Sequence, residues 1–395
     1  RGFNLLKQNG QFAYITSNKY LRAKYGTGLR KSLSEKVKLD TIIDFGDLPV
    51  FDAAAYPCIV LAQKQTPSAN IVNVLAVTNI DILDRLPSAM RTLPTKMAQE
   101  KLSADVWNIS DSYIQDILDR LNKSSTPLGK LVNGMFFMGV KTGLNSAFVI
   151  DLETRNRLVG QDAKSAEIIK PFLIGRDVKR WQFVDKRRYV IFTHHGIQID
   201  QYPAAKAYLE PFRDRLQARA TSANHEWYEI QQPQMGIYPD FQKPKIIYPE
   251  FGIKPEFAYD TQGYFINNKL FTIPTDDFYL LGVLNSNVVH LYLSENGSKI
   301  RGGYIEFRWM TLVKIPIPTP SADLRERIAA AALACLDAAK DHPDRLPALE
   351  AELNALVYQA YGLDKDDIRV MEGSISKQNA GLIETDELIG DDDAT

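Results

Sequence analysis

Two short apolar runs near the start of the chain predict neighbouring strands of one sheet. Residues 41–45 are rich in β-branched side chains, and residues 57–61 form a second apolar run. Both compositions are typical of buried strands. Because only a short loop separates the two runs, we expect them to be antiparallel neighbours.

The segment before these runs predicts a strand at residues 10–18 and an amphipathic helix at residues 20–37. A strand–helix–strand order favours a parallel pair with a right-handed crossover, to which the returning strand adds an antiparallel member. The pattern therefore predicts the C-terminal part of a doubly wound α/β sheet. Thr16, Ser17 and Asn18 would lie with the loop between the apolar runs at the edge where such sheets bind ligands.

After residue 123 the pattern changes to short strands and helices, which is typical of an α+β domain. Residues 131–151 predict a strand pair with a glycine-bearing connection, and residues 203–219 and 276–293 predict helices. Further strands are predicted at residues 70–77, 245–249, 264–267, 269–273, 302–307 and 312–318.

The end of the chain predicts a helical tail. Residues 322–340 and 346–361 have helical patterns and are expected to form a hairpin, with Gly362 ending the second helix. Residues 384–393 are acidic, and we expect them to be disordered.

Composition adds limits on the class of protein. The 395 residues are 45% hydrophobic and 24% charged, which suits two or three soluble domains. Cys58 and Cys335 are the only cysteines, so the sequence favours a reducing, cytoplasmic compartment with neither a disulfide framework nor a zinc site. No apolar run is long enough for a membrane span. Because the first predicted strand enters its sheet midway, we interpret the chain as a piece of a larger protein.

Charge is segregated along the chain, although the formal net charge is only −1. Residues 170–219 hold eleven Lys and Arg against five Asp and Glu, with Trp181 and Tyr189 interleaved. Phosphate binding needs such a local surplus, because the release of counterions supplies its affinity. A solvated basic face is the alternative interpretation of the same charges.

Phe51 is the unusual residue of the loop between the apolar runs. It is a large aromatic residue shortly before the small residues Ala53, Ala54 and Ala55. Such a ring either plugs the core beneath the loop or presents its flat face to something planar. The local sequence leaves both roles open.

The segments around this loop resemble a known enzyme family. Residues 10–33, GQFAYITSNKYLRAKYGTGLRKSL, and residues 42–63, IIDFGDLPVFDAAAYPCIVLAQ, are similar to the last third of the catalytic domain of adenine-N6 DNA methyltransferases. The similarity is to the branch found in type IIG restriction-modification enzymes and related phage-defence methylases. In that family an aromatic residue of the corresponding loop stacks on the adenine that is flipped out of the duplex. The resemblance implies this role for Phe51, since base flipping needs an aromatic wall.

The second half of the chain resembles a TaqI-like C-terminal specificity domain, a target-recognition module. The resemblance rests on an ordered set of segments that includes VKTGLNSAFVID at 140–151, KPFLIGRDVKRW at 170–181, KPKIIYPE at 243–250 and RGGYIEFRWMTLVKIPIPTP at 301–320. It implies that the partner is double-stranded DNA.

The residues expected to contact DNA form two groups. Base edges are read by Arg, Lys, Asn or Gln on loops that approach a groove, and phosphates are bound by exposed cations. The candidates for base readout, all near glycines, are Lys141, Thr142, Asn145, Lys299, Arg301, Tyr304 and Arg308. The candidates from the basic stretch are Arg176, Lys179, Arg180, Lys186, Arg187 and Arg188. Ordinary hairpin turns are the alternative for the glycine-bearing segments.

The patterns and the resemblance together give an expected division of the chain. It is residues 1–78 for the C-terminal part of the methyltransferase catalytic domain, 79–122 for a linker and helix, 123–320 for the DNA target-recognition domain, 321–375 for a helical hairpin and 376–395 for an acidic, disordered tail.

The motifs that carry methyl transfer in the resembled family do not occur in this chain. That family holds the exocyclic amine with an (N/D)PP(Y/F) motif and binds S-adenosylmethionine at an upstream glycine-bearing strand–turn, whereas Asn18 is followed here by Lys19. We therefore expect no catalytic or cofactor-binding residue, and a chain that alone neither binds the cofactor nor methylates. Adjacent His194 and His195 would point to opposite faces of a strand, so no metal site is expected. The full-length protein would add the missing N-terminal methyltransferase half with S-adenosylmethionine, either with or without a nuclease domain.

Two other functions stay open on the sequence. One is a non-catalytic DNA specificity subunit. The other is a non-DNA interaction scaffold that uses the aromatic-rich surface near Trp227, Tyr228 and Tyr238. DNA affinity that falls steeply with salt would separate the two DNA-binding functions from the scaffold.

Overall fold

The computed structural model describes residues 2–46, 48–51, 56–77, 80–92, 94–107, 112–219, 222–300 and 303–379. The chain divides into two units. The first unit comprises residues 1–123, 294–303 and 365–383, and the second comprises residues 124–293, 304–364 and 384–395.

A mixed five-stranded sheet forms the centre of the first unit. Its strands are β1 (Gln11–Ser17), β2 (Lys38–Asp44), β3 (Pro57–Gln63), β4 (Ile71–Ala76) and β5 (Thr95–Ala98), in the spatial order β1-β3-β2-β4-β5. β3 is antiparallel to both β1 and β2, and β4 is parallel to β2. The predicted antiparallel pair of β2 and β3 is therefore confirmed. β1 and β2 run in the same direction, as predicted, but β3 lies between them.

The helices of the first unit depart from the prediction in two places. Those described in the first 124 residues are α1 (Gly2–Leu5), α2 (Thr27–Lys36), α3 (Leu86–Thr92) and α4 (Ser112–Ser124). The helix predicted at residues 20–37 begins only at Thr27, after two short 3-10 turns. Residues 79–122 are more than a linker and a helix, because β5 within them pairs antiparallel with β4. The sequence pattern did not predict this strand, because it is only four residues long and directly follows Pro94.

Two four-stranded sheets lie in the second unit. The described strands after residue 123, all in this unit except β16, are β6 (Thr126–Pro127), β7 (Phe137–Met138), β8 (Val149–Ile150), β9 (Ile169–Leu173), β10 (Tyr189–Ile191), β11 (Lys245–Pro249), β12 (Phe251–Gly252), β13 (Ala258–Asp260), β14 (Phe265–Ile266), β15 (Leu270–Pro274), β16 (Ser298–Lys299), β17 (Ile305–Glu306) and β18 (Pro316–Ile317). The two sheets have the orders β14-β9-β10-β8 and β13-β11-β15-β7. A large apolar core that includes Phe148, Phe172 and Phe265 lies against them.

The strand pair predicted at residues 131–151 is wrong. β7 pairs with β15 and β8 pairs with β10, so the two strands of this segment belong to different sheets. The apolar pattern identified strands, but their partners lie more than 35 residues away in sequence, which a local pattern does not reveal.

Two helices predicted in the second unit are interrupted. The helices here are α5 (Leu128–Leu131), α6 (Asn145–Phe148), α7 (Leu152–Gln161), α8 (Pro203–Leu209), α9 (Arg213–Gln217), α10 (Phe278–Leu284), α11 (Asn287–Asn296), α12 (Trp309–Leu312), α13 (Ala322–Asp341) and α14 (Leu346–Tyr361). The helix predicted at 203–219 breaks around Pro211, which has no N–H to donate. The helix predicted at 276–293 breaks at Asn285, whose side chain bonds both the N–H and the carbonyl of Phe257.

The helical tail is confirmed in its first two helices. α13 and α14 pack on each other, and Gly362 ends α14 in the left-handed conformation at φ +66°. A third helix, α15 (Lys365–Asn379), belongs to the first unit, where Asp367 pairs with Arg120. The tail predicted to be disordered lies largely outside the described residues.

Candidate nucleic-acid interface

Three strands of the first unit end at the same edge of its sheet. β1, β2 and β4 run in one direction, so their carboxyl ends at Ser17, Asp44 and Ala76 lie along that edge. The Phe51 loop is the name used here for residues 45–56, of which 47 and 52–55 lie outside the described residues; it leaves the sheet at Phe45 and returns at Tyr56. Gly46 starts the loop with φ at +58°, a conformation that costs glycine little.

Asn18 holds both ends of the Phe51 loop. Its side-chain amide donates to Asp44 Oδ1 at 2.8 Å and to the Gly46 carbonyl at 3.5 Å. Its backbone N–H donates to the Tyr56 carbonyl at 2.6 Å. The Asp44 carboxylate also accepts the Gly46 N–H at 3.0 Å. One residue after β1 therefore fixes the points where the loop begins and where it returns.

Phe51 lies at the surface of this loop, with 49% of its area exposed. Leu48 and Val50 pack instead against the buried residues Ile43 and Phe45. Because these neighbours fill the core beneath the loop, the ring of Phe51 is not the core plug that the sequence allowed as an alternative. An accessible aromatic ring at this edge can stack on a planar group.

A basic hairpin, residues 174–188, joins β9 to β10 in the second unit. Lys179 and Gln182 exchange backbone hydrogen bonds of 2.9 and 3.2 Å, and Val184 N–H donates to the Asp177 carbonyl at 2.8 Å. The exposed cations on this hairpin are Arg176, Lys179, Lys186 and Arg187. They give it a positive surface of the kind that binds phosphates.

The turn of the basic hairpin is anchored inward. Trp181 is buried and has φ at +72°. Its backbone N–H donates to the Phe257 carbonyl at 3.0 Å, and its indole N–H donates to the Glu350 carboxylate at 2.6 Å. The exposed cations are therefore carried on a hairpin whose turn is fixed to β13 and α14.

Two of the predicted DNA contacts have this structural role instead. Arg180 forms an ion pair with Glu350, and Arg188 forms one with the buried Asp177. Each guanidinium is already held by a carboxylate and is mostly shielded from solvent, so neither offers a phosphate the accessible charge that the sequence suggested. The sequence could not separate these arginines from their exposed neighbours, because the acidic partner of Arg180 lies 170 residues away.

Residues 141–145, here called the Lys141 loop, form a second exposed feature of this unit. Lys141 exchanges backbone hydrogen bonds of 3.0 and 2.8 Å with Gln232, and its side chain is exposed. Thr142 is buried and donates its hydroxyl to Asn145 Oδ1 at 2.7 Å. The predicted contact of Thr142 with DNA therefore does not fit its burial, whereas Lys141 and the partly exposed Asn145 are accessible.

The Lys141 loop and the basic hairpin start at the same end of the sheet that contains β9 and β14. β14 is parallel to β9, and the Asn267 N–H donates to the Leu173 carbonyl at 3.0 Å. Val140 bridges Asn267 in parallel and donates to the Ile266 carbonyl at 2.8 Å. The chain therefore passes residue 140 and residue 173 in the same direction, and both exposed features begin beyond that point.

Two family models match separate parts of the chain. Residues 170–317 match the TaqI-like C-terminal specificity domain, and residues 1–51 match the Eco57I restriction-modification methylase. The resemblance to restriction-modification methyltransferases is confirmed.

Two curated relatives are similar over most of the chain. It is 24% identical over 371 residues to the type II methyltransferase M.BanIII of Aneurinibacillus aneurinilyticus, which covers 82% of this chain and 63% of that protein. It is 24% identical over 405 residues to the type II methyltransferase M.PaeR7I of Pseudomonas aeruginosa, which covers 95% of this chain and 65% of that protein. The chain thus spans less than two thirds of the length of either relative.

A solved structure is similar in fold. The type IIL restriction-modification enzyme MmeI, solved in complex with DNA, matches 95% of this chain and 50% of its own with a TM-score of 0.58 and 15% identity. The fold of the methyltransferase-like part and the specificity domain is therefore one that restriction-modification enzymes use.

The remaining predicted contacts of the specificity domain are placed differently from one another. Tyr304 is buried. Arg308 is exposed and pairs with Glu306 at 2.6 Å. Lys299 is exposed in β16, which belongs to the first unit. Arg301 lies outside the described residues. The burial of Tyr304 makes it part of the core rather than a residue that reaches a base.

Residues 170–317 also contain a half-buried arginine, Arg219, which the sequence analysis included only among the cations of the basic stretch. Arg219 donates to the carbonyls of Leu216 at 2.8 Å, Thr142 at 3.0 Å, Trp227 at 2.8 Å and Glu229 at 2.9 Å. Burial lowers the pKa of its guanidinium to about 10, so it remains charged at neutral pH. No local signal identified it, since three of these acceptors come from other segments.

The described part of the chain offers little for a metal or for reactive thiols. No group of three or more His, Cys, Asp or Glu side chains in it is arranged to hold a metal ion. Cys58 and Cys335 are buried and unpaired, and burial raises the pKa of both thiols to about 12. None of the described helices has the length and apolar character needed to cross a bilayer.

Proposed function

We propose that this chain is the DNA-binding and target-recognition part of a site-specific adenine-N6 DNA methyltransferase of a restriction-modification or phage-defence system. The observation that carries the proposal lies in the second unit, within and shortly before residues 170–317, which match the specificity domain. There the exposed cations of the basic hairpin and the accessible Lys141 loop begin at one end of the same sheet. One feature supplies phosphate contacts and the other supplies groups for base edges.

The basic hairpin suits the phosphate backbone. Its exposed cations, Arg176, Lys179, Lys186 and Arg187, project from a short hairpin whose turn is anchored by Trp181. A fixed set of cations can neutralise several phosphates at once and set the register of the protein on the duplex. Lys141 and Asn145 then have the donors and acceptors that distinguish base pairs in the major groove.

In the complete protein, Phe51 would form the aromatic wall for the extruded adenine. Its exposure, and its place at the carboxyl edge of the mixed sheet of the first unit, support this role. In that protein, S-adenosylmethionine and the amine-binding (N/D)PP(Y/F) motif would belong to a part outside these 395 residues. We therefore expect no methyl transfer to DNA by this chain alone, and an isotope-labelled methyl-transfer assay tests that expectation.

A salt titration of duplex binding tests the DNA-binding function. We expect the association constant to fall steeply with salt, by about 0.9 log units per log unit of salt for each phosphate contact. Replacing Lys186 and Arg187 together with Ala should reduce the slope by about two contacts.

The control for charge loss is the pair Lys206→Ala and Arg213→Ala. Both cations lie in the same basic stretch, but Lys206 is paired with Asp200 at 2.6 Å and Arg213 with Glu210 at 2.7 Å. Because these cations are already neutralised by carboxylates, their loss should leave the slope nearly unchanged. A wild-type chain with negligible duplex affinity at low salt contradicts the proposal.

The two alternative functions make different predictions. A specificity subunit without a catalytic partner domain would bind DNA with the same salt dependence but would show no extrusion of a base beside Phe51. The scaffold function has less support, because Trp227 is buried and Tyr228 and Tyr238 pack against the hydrophobic core. The aromatic surface on which that function depended is therefore largely internal.

A further inference from the structure

We propose that Arg219 is a positioning residue for sequence recognition, which holds the Lys141 loop in the shape that reads base edges without touching DNA itself. This inference rests on the proposed function and adds a specificity determinant to it. It concerns a cation that the basic stretch alone would assign to phosphate binding.

Arg219 has few donors left for a ligand. A guanidinium has five N–H donors, and Arg219 directs its Nε, Nη1 and Nη2 groups to four backbone carbonyls, at 2.8 to 3.0 Å. Its guanidinium carbon also lies 5.6 Å from the centre of the buried Phe148 ring. A phosphate at this position would have to displace hydrogen bonds that these four carbonyls accept, which is costly.

The acceptors of Arg219 join the Lys141 loop to distant segments. The Thr142 carbonyl accepts from Arg219 Nη1 at 3.0 Å and from the Gln231 N–H at 3.1 Å, which uses both of its lone pairs. The carbonyls of Trp227 and Glu229 accept from Arg219 Nη2. The guanidinium therefore ties the backbone of the loop to the segment that runs alongside it.

Gly143 shows how closely the loop is seated on this arginine. It has φ at +81°, and a Cβ added there would lie 3.0 Å from both Arg219 Cδ and Gln231 Cβ. Lys141, on one side of this glycine, and Asn145, on the other, are the accessible candidates for base contacts. Since a base contact depends on placing donors and acceptors to within about 0.5 Å, a shift of this backbone should change which bases are read.

The test compares Arg219→Met with Arg215→Met in the full chain. Met retains an apolar stem of similar length, and Arg215 is an exposed cation on α9, so both variants lose one positive charge from the same region. Duplexes bound from a randomised library are sequenced to obtain the recognition sequence, and affinities for that duplex and for a scrambled duplex are measured across a range of salt.

We expect Arg219→Met to lower the ratio of specific to non-specific affinity at least tenfold, about the loss of one base contact. The salt slope on the scrambled duplex should equal that of Arg215→Met. If the salt slope of Arg219→Met is instead lower than that of Arg215→Met by about one contact, and its ratio of specific to non-specific affinity equals that of the wild type, Arg219 is a phosphate ligand and the inference is overturned. An unchanged ratio and slope would overturn it as well.

Gly143→Ala supplies a second variant in case Arg219→Met does not fold, as judged by circular dichroism and thermal unfolding. It adds one methyl group against Arg219 and strains the positive φ, without changing any charge. We expect the same loss of specificity with the wild-type salt slope, and retention of wild-type specificity in a folded Gly143→Ala contradicts the inference. If the wild-type chain binds no duplex at all, the proposed function itself fails, which is a separate result.

Discussion

The Phe51 loop and the Lys141 loop are both held by one polar residue that lies far away in sequence, but they are held in different ways. Asn18 contacts the Phe51 loop with a neutral side-chain amide and its own backbone N–H, and it does so at the two ends of the loop. Arg219 contacts the Lys141 loop with a charged guanidinium, at the second residue of a five-residue segment.

The difference matches the task that we propose for each loop. A ring that stacks on an extruded base tolerates small changes of position, because every base has a flat face. Hydrogen bonds to base edges require donors and acceptors at defined distances and angles. A loop anchored at its ends suits the first task, and a loop tied through its own backbone suits the second.

The largest expected effect concerns a buried ion pair of the second unit. Lys245 on β11 and Asp260 on β13 form an ion pair in which both side chains have 0% exposure. Lys245→Met leaves the carboxylate of Asp260 buried without a cation, and we expect it to lower the free energy of unfolding by about 3–5 kcal/mol. Urea unfolding followed by circular dichroism measures this change.

Lys243→Met is the matched control for that substitution. Lys243 lies two residues before Lys245, is exposed, and pairs with Asp240 at 2.6 Å. An exposed pair of this kind contributes about 0–1 kcal/mol, so this variant should remain close to the wild type. Equal stability of Lys243→Met and Lys245→Met would mean that buried charge does not support the second unit.

Lys245 also shows where the sequence was informative and where it was not. The pattern placed a strand at residues 245–249, and β11 has those bounds, because a short apolar, β-branched run is a local property of the sequence. The partner of Lys245 lies 15 residues away on another strand, so its full burial as an ion pair was not predicted. In the same way, Phe51 and Lys141 could be identified by their neighbours, whereas Asn18 and Arg219 could be assigned a supporting role only from contacts between distant segments.

A smaller effect is expected at the Phe51 loop. Asn18→Ala removes the amide that donates to Asp44 and Gly46 but keeps the backbone N–H that donates to Tyr56. We expect a loss of about 1 kcal/mol, typical of one such hydrogen bond, and faster amide hydrogen exchange in the peptide that contains Gly46. Exchange measured by mass spectrometry reports this local opening.

Asn73→Ala is the control for the loss of an amide. Asn73 lies on β4 in the same sheet and donates to the Asp40 carbonyl at 3.4 Å, away from the carboxyl edge. It should leave exchange at Gly46 unchanged. If Asn18→Ala also leaves that exchange unchanged, Asn18 does not fix the beginning of the Phe51 loop. The comparison with the way Arg219 holds the Lys141 loop is then wrong for the Phe51 loop.

The smallest effect on stability, and the most informative about function, is expected for Phe51→Ala. Because the ring is half exposed and Leu48 and Val50 fill the core beneath it, the free energy of unfolding should change by no more than about 0.5 kcal/mol. Affinity for the selected duplex should also stay nearly the same, since phosphate contacts dominate it. With 2-aminopurine at the target adenine, the fluorescence rise that reports an unstacked base should be lost.

Phe51→Trp and Tyr25→Ala complete that experiment. Trp keeps an aromatic face and should preserve the fluorescence rise, whereas Tyr25→Ala removes another exposed aromatic ring of the same unit and should have no effect on it. If Phe51→Ala gives the wild-type fluorescence on the selected duplex, stacking at residue 51 is excluded even though DNA binding stands. The two loops would then differ in function as well as in anchoring, because only the Lys141 loop would take part in recognition.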